Sequence, residues 1–589
     1  MVEYDVLIKN ASIIDGSGKP EYVGSIGVVG DKVHSVGDVK GDAVKTIDAS
    51  GLKALPGFID SHSHADRMLL FYPQAESHIM QGITTFIGGQ CGGSPAPIEE
   101  KIGLPSLLSD YMMEIAPYKY RPATRKFPRE YVNELIKEKF GWTIDWETMG
   151  EYFKKVEEKG ISINYVPLVG HGNIRGVVMG EDYKRDSTQD ERSQMHEYIH
   201  QAMKDGCIGL STGMDYDPDV FASRDEIDEA VLQLKEYDGI YCPHWFRTGR
   251  RIGVTATTPV PDRIQGLLDE IETHNRTGVR LHFAHLTTGW DVRPRPPDHI
   301  EKAVLEATFA AVVKEAKHPL DITWDAIPFM VRGGFSVMPY LCSSLAPWLR
   351  QHGSRKALGE WLKVKDFREE IKDAFKTGKL YVRSFNPSIN PKWAQGIIVL
   401  QSKSPGLDGK TIAEIAEERG TDQQDTWFDI ISEDPDTRGV TYMMTNERLY
   451  HLYYKHPAGM LGLDTSICDD KRQSPEPTVS FPGINSFSGF PIIYDRFVKK
   501  EKCLTLQEAV QVTSSRSALV HKLEGRGVIS EGAYADIVLM DYENLEIRST
   551  EIEPRRYPGG IDYVLVNGVP VVENGKHTGA RSGRVLKRT

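Results

Sequence analysis

Imidazole, thiol and carboxylate side chains stand in this sequence at spacings that suit a divalent cation. His62 and His64 lie two apart in Gly57-Phe-Ile-Asp-Ser-His-Ser-His-Ala-Asp66. Side chains alternate between the faces of a strand, so both rings point one way and Ser63 the other, the geometry for two ligands on one ion. Spacing alone discriminates poorly. With 18 histidines in 589 residues, about 0.5 such pairs arise by chance. Further donors close other apolar runs: Cys91 in Gly88-Gly-Gln-Cys-Gly-Gly-Ser94, His244 after Tyr241-Cys-Pro, His282 and His285 in His282-Phe-Ala-His285, and Asp464 in Met460-Leu-Gly-Leu-Asp464. Three or four imidazoles, a thiolate and a carboxylate suit zinc or a related borderline metal.

These donors need a scaffold that gathers distant strand ends. From about Pro56 to about Leu523, apolar runs at 54–59, 84–88, 163–169, 206–210, 239–242, 280–284, 320–324 and 460–463 alternate with amphipathic stretches such as 148–159 and 302–317. Eight βα units predict an α/β fold, a (β/α)8 barrel whose C-terminal strand ends form one rim. Stretches at about 105–145 and 330–425 read as insertions. Outside the barrel, Asp5 to Gly16 and Asp562 to Gly575 share one strand–turn–strand outline. Hairpins from both ends are thus expected to share a sheet, which divides the chain into a composite β-sandwich of 1–55 and 524–589 and a barrel of 56–523.

Composition narrows the function classes. A net charge of −12 argues against a nucleic-acid partner, which calls for concentrated Lys and Arg. No apolar run approaches membrane-spanning length and the N-terminus has no leader pattern, so a cytoplasmic location and no membrane partner are expected. Six scattered cysteines without a CxxC pair fit a reducing compartment. Homo-oligomerisation stays open.

Two motifs compete with this reading. His196-Glu-Tyr-Ile-His200 matches the zinc-protease pattern HExxH, which chance yields only about 0.04 times in such a chain. Its helix, expected over 187–204, would bury Met195, Ile199, Ala202 and Met203 as one stripe with both histidines beside it, which predicts a solvated outer helix. Asp408-Gly-Lys-Thr411 resembles the end of a phosphate loop, but Ser404 stands where its first glycine belongs. A capping box of Thr411 and Glu414 ahead of a helix over 412–419 is the expectation there.

The chain resembles the amidohydrolase superfamily, specifically the N-acyl-D-amino-acid deacylase (D-aminoacylase) group. The resemblance rests on PGFIDSHSHAD (56–66), QGITTFIGGQCGGSPAP (81–97), PLVGHGNIR (167–175), GCIGLSTGMDYDP (206–218), PHWFR, FAHL, GMLGLD (459–464) and RGVISEGAYADIVLMD (526–541). It implies a metal-dependent barrel beside a β-sandwich from both termini, holding one or two divalent metals, zinc first among them. Cys91, His244 and His285 would hold the tighter ion; His62, His64 and Asp464 would line the weaker one, with Cys91 bridging. The implied reaction is hydrolysis of a non-peptide amide in a small-molecule substrate. Metal-bound hydroxide would attack, with Asp464 as general base and then acid. A cyclic-amide hydrolase of hydantoinase or imidase type, or a deaminase, is the alternative with the same metal logic.

Other residues extend the candidate site. His171 in Gly-His-Gly is placed near the pocket, and Asp215 follows strand four, where a bridging carboxylate is found in related enzymes. His282, three residues from His285, is expected to face away from the metal. The chain also departs from the family: Thr287 stands where a lysine is typical, and the 480–489 segment carries no arginine. The clamp for a substrate carboxylate is therefore missing, with Arg247, Arg250 or Arg472 as replacements at other places. Trp245, Phe246, Trp290, Trp324 and Phe329 would supply an aromatic rim for a bulky apolar or flat group.

Overall fold

The computed structural model describes residues 3–98, 111, 128–215, 217–246, 262–286, 297–328, 331–339, 345–376, 392–442, 447–472, 480–550 and 553–588. Eight parallel strands carry the expected order. They are Phe58–Asp60, Ile83–Gly88, Asn164–Pro167 continued by Val169–Gly170, Gly209–Gly213, Ile240–His244, Arg280–Phe283, Ile322–Ala326 and Gly459–Leu461. Nearly every residue in them is buried, as a parallel sheet covered on both faces requires, and this is why they read as apolar runs rather than alternating ones.

The ladder around these strands is split. Strands one to three form one sheet, and the continuation of strand three joins strands four to eight in another. At Leu168 the two halves of strand three part, and Leu168 N–H bonds Gly88 O while Ile208 N–H bonds Pro167 O. At the seam between strands eight and one, Ser61 N–H donates to Leu461 O at 3.1 Å. There the Asp60 carboxylate replaces ladder bonds, with Oδ1 accepting the N–H of Leu463 at 2.9 Å and of His62 at 3.2 Å. A buried carboxylate thus fixes the two chain segments that carry His62 and Asp464.

The helices follow their local signals. Met149–Lys159 begins with a capping box of Thr148 and Glu151, and Ile412–Arg419 with one of Thr411 and Glu414. Gln189–Asp205 is capped by Thr188 and buries Met195, Ile199, Ala202 and Met203. The helix expected at 302–317 instead runs Asp298–Val313, opening after Pro297 with Asp298 and Glu301 in its first turn.

Strands from both termini form one nine-stranded sheet, joined where Lys53–Pro56 pairs antiparallel with Ile537–Met540. The strand–turn–strand outline expected from Asp5 to Gly16 is instead one strand, Glu3–Ile13, whose register shifts between Ile8 and Ala11 with Asn10 at φ 60°. Val6, Ile8, Ile26, Val28, Ile537, Leu539 and Leu565 share a core separate from the barrel's. Between barrel strands seven and eight, the chain builds helices around a further core that includes Trp348, Trp393 and Trp427. A four-stranded antiparallel sheet accompanies them, to which Arg438–Tyr442 and Ser480–Phe481 contribute. No described helix is long and apolar enough to cross a membrane.

Candidate metal centre

The expected donors converge. His62, His64, Cys91 and Asp464 place donor atoms within 4.8 Å of one another, and so do Cys91, His244 and His285. Cys91 belongs to both groups. Its Sγ lies 3.4 Å from His62 Nε2, 3.4 Å from His244 Nδ1 and 3.5 Å from His285 Nε2. A tetrahedral zinc with ordinary bond lengths holds a sulfur and a nitrogen ligand about 3.6 Å apart. The spacing therefore fits ligands of a common ion.

The backbone explains how strand ends present these groups. Cys91, His285 and Asp464 all adopt positive φ, of 55°, 36° and 54°. This left-handed region is rare for residues with a Cβ and is kept only where the surroundings hold it, which makes three such residues at one rim a functional signal. Gly89, at φ 79°, lets the Cys91 loop close on strand three; a methyl there would stand 2.0 Å from Leu168 O. Ser211 Oγ accepts the Gly92 N–H at 3.0 Å and steadies the same loop.

Charges inside the cluster compensate one another. Burial pushes the Cys91 thiol up, but His62 and His244, with hydrogen bonds from His244 and His285, hold it well below its usual value. Against burial, the Asp464 and Cys91 contacts raise His64 to about 9. Asp325 and Cys91 raise His62 well above the ordinary imidazole value, although its burial opposes this. Burial also works against ionisation of Asp464, yet His285, His64 and His62 keep its carboxyl far below the usual range. The thiolate and the carboxylate are balanced by the imidazoles around them, and thiolate, imidazole and carboxylate together form a donor set that suits a divalent cation.

The remaining candidates take supporting places. Asp215 is not in either donor group; its Oδ2 lies 3.1 Å from His244 Nε2, so it fixes the ring whose Nδ1 faces Cys91. His171 is also outside the groups, with Nδ1 2.8 Å from Asp219 Oδ1 and Nε2 3.4 Å from Glu226 Oε1. Asp219 in turn accepts the Gly213 N–H at 2.8 Å beneath Gly92. Arg247, Arg250, Thr287, Trp290 and Phe329 lie outside the described residues.

His282 joins neither donor group: it is fully buried inside the barrel, with Nε2 3.1 Å from Asp325 Oδ2 and Nδ1 2.9 Å from Thr323 Oγ1. Two expectations are corrected. Trp324 is not on the rim; it stacks on Phe309 and donates to Tyr453 O at 3.3 Å, because Thr323 and Asp325 take the inward positions of its strand. The HExxH helix is not a solvated face at His200, whose ring nitrogens meet Tyr237 Oη at 3.0 Å and Gln233 Oε1 at 3.1 Å. Neither His196 nor His200 joins a donor group among the described residues. A third donor group, His451, Glu501 and Cys503, has its carboxylate already paired with Arg496 Nε at 2.6 Å.

Asp325 and Asp60 were not singled out in the sequence. The signal for Asp325 was a carboxylate alternating with Thr323 inside an apolar strand, a costly placement unless it is paired.

A curated D-aminoacylase of Alcaligenes xylosoxydans xylosoxydans is 26% identical over 100% of this chain and 98% of its own length. A crystal structure of the N-acyl-D-glutamate deacylase of Bordetella bronchiseptica, complexed with zinc and a phosphonate mimic of the tetrahedral intermediate, is 22% identical and covers 100% of both chains with a TM-score of 0.68. The dihydropyrimidinase of Brevibacillus agri covers 99% of this chain at 15% identity with a TM-score of 0.52, a more distant likeness. The family model described as the amidohydrolase family matches residues 45–236 and 470–572, about half of the sequence, and includes His62, His64, Cys91 and Asp215. The chain belongs to the amidohydrolase family.

Proposed function

We propose that this protein is a metal-dependent deacylase that hydrolyses the amide bond of N-acylated amino acids. The observation that carries the reading is the pair of donor groups that share Cys91, with Asp464 in one of them. The named activity of the full-length curated relative supports the substrate class.

Cys91, His244 and His285 are assigned to the tighter ion, and His62, His64 and Asp464 to the weaker one. A divalent metal, zinc first, would polarise the scissile carbonyl and lower the pKa of water towards ~7. The chain's own part is orientation and proton movement. His64 Nε2 holds Asp464 Oδ1 at 3.0 Å, and both side chains are 27% exposed, the access a group that meets substrate requires. The Asp464 carboxylate can accept the proton of the attacking water and pass it to the departing nitrogen, which leaves poorly until protonated. Arg247, three residues after His244, and Thr287, two after His285, are assigned to substrate contact.

The organisation that goes with this reading is a β unit of 1–55 and 524–589 on a barrel of 56–523. The location is the cytoplasm, in keeping with the free thiols of Cys91, Cys207, Cys242, Cys468 and Cys503. Steady-state assays of the zinc-loaded protein against N-acyl amino acids of both enantiomers and against cyclic amides test the function. Turnover of the N-acyl compounds is expected; turnover of hydantoins or dihydropyrimidines alone would replace the reading with cyclic-amide hydrolysis.

A further inference from the structure

The two donor groups share Cys91 in front, and one carboxylate touches both from behind. Asp325 is fully buried in strand seven. Its Oδ1 accepts the backbone N–H of His285 at 2.9 Å. Its Oδ2 accepts from His282 Nε2 at 3.1 Å and faces His62 Nδ1 at 3.5 Å. That His62 nitrogen is buried and has no hydrogen-bond partner of good geometry, while Nε2 of the same ring points at Cys91. Gly462 completes the contact: a methyl there would stand 2.5 Å from Asp325 Oδ1 and 2.7 Å from His62 Cβ.

The two contacts differ in kind. At His285 the carboxylate holds only the peptide N–H, which helps keep φ at 36° and the ring aimed at Cys91. A neutral amide oxygen accepts that bond equally well. At His62 it faces the ring itself, where a carboxylate behind a ligating imidazole fixes the tautomer, orients the plane and raises the basicity of the ligating nitrogen.

Resting on the metal reading above, we propose that Asp325 is a positioning residue that sets the affinity of the His62–His64–Asp464 position separately from that of the Cys91–His244–His285 position. Asparagine keeps an oxygen for the His285 N–H but removes the charge behind His62, so Asp325→Asn weakens one position and spares the other.

The test is zinc uptake at a series of buffered free-zinc concentrations, read by elemental analysis for the wild-type and Asp325→Asn chains. The thiolate-to-cobalt absorption of the first cobalt equivalent is recorded beside it. The first equivalent is expected to bind as in wild type with its band unchanged, while the affinity for the second falls about 10- to 100-fold. Equal weakening of both equivalents, or an unchanged second one, overturns the proposal. Gly462→Ala crowds both Asp325 Oδ1, which holds the His285 N–H, and His62 Cβ, and is expected by contrast to weaken both equivalents; a loss confined to the second would overturn the division of roles between the two oxygens. If neither variant folds around a first equivalent, Asp325 is a residue the fold requires and the proposal fails. A wild-type chain that takes up no zinc overturns the metal reading itself.

Discussion

His64 Nε2 lies 3.0 Å from Asp464 Oδ1, although the two residues are 400 positions apart in the chain. The first follows the end of strand one and the second the end of strand eight, and the N–H of Asp464 bonds His62 O at 2.9 Å to lock the pair across the seam. A carboxylate in that place is oriented by an imidazole and partly exposed, which suits it to move protons.

Asp464→Asn is therefore expected to keep the fold and the metal held by Cys91, His244 and His285, yet to lose on the order of 10²-fold or more in kcat, because an amide cannot take the water proton. Steady-state kinetics with parallel metal analysis checks it. Near-normal turnover would move the base elsewhere.

Asp215 acts through His244, whose Nε2 it meets at 3.1 Å. Asp215→Asn is expected to weaken the tighter metal about 10- to 100-fold, as measured by competition with a chromophoric chelator, without unfolding the chain. Unchanged metal affinity would reduce Asp215 to a loop residue.

The HExxH helix gives a prediction of the opposite sign. Replacing His196 and His200 together with alanine removes the bonds to Tyr237 and Gln233. About 1 kcal/mol of stability should be lost, with metal content and turnover unchanged. Loss of metal in that variant would revive the protease reading.

The scaffold and donor set were legible because they depend on local periodicity and residue type. The eight strands follow from apolar runs and the Thr411 cap from its capping-box residues, whereas the six donors were singled out by residue type at the ends of those runs and by the family resemblance. What was not legible depends on where a strand stops. His282 and His285 sit three apart with a turn after Phe283 between them, so the sequence could set His282 apart from the metal but not place its ring against Asp325 and Thr323. Asp325 was hidden for a related reason: its partners His62, His282 and the His285 peptide come from two other strands. Trp324 shows the converse, since an aromatic near a strand end is on the rim or behind it according to the phase of one residue.

Substrate recognition is the finer expectation. With Trp324 turned outward and Trp245 buried in the main core, the case for an apolar substrate rests on the missing clamp: Thr287 and an arginine-free 480–489. Loss of one charge-assisted hydrogen bond, roughly 1.5–3 kcal/mol, corresponds to tenfold or more in binding. The carboxamide of N-acetyl-D-methionine is accordingly expected to match or exceed the free acid in kcat/KM. A strong preference for the free acid would show that another group, such as Arg247, binds the carboxylate.

The most direct test of the central claim is elemental analysis of purified Cys91→Ala beside the wild-type chain, because Cys91 is the donor common to both groups. The wild type should carry one or two equivalents of a divalent metal, zinc foremost, and the variant should lose the tight equivalent together with its turnover. Full metal occupancy and full activity in Cys91→Ala would contradict the account.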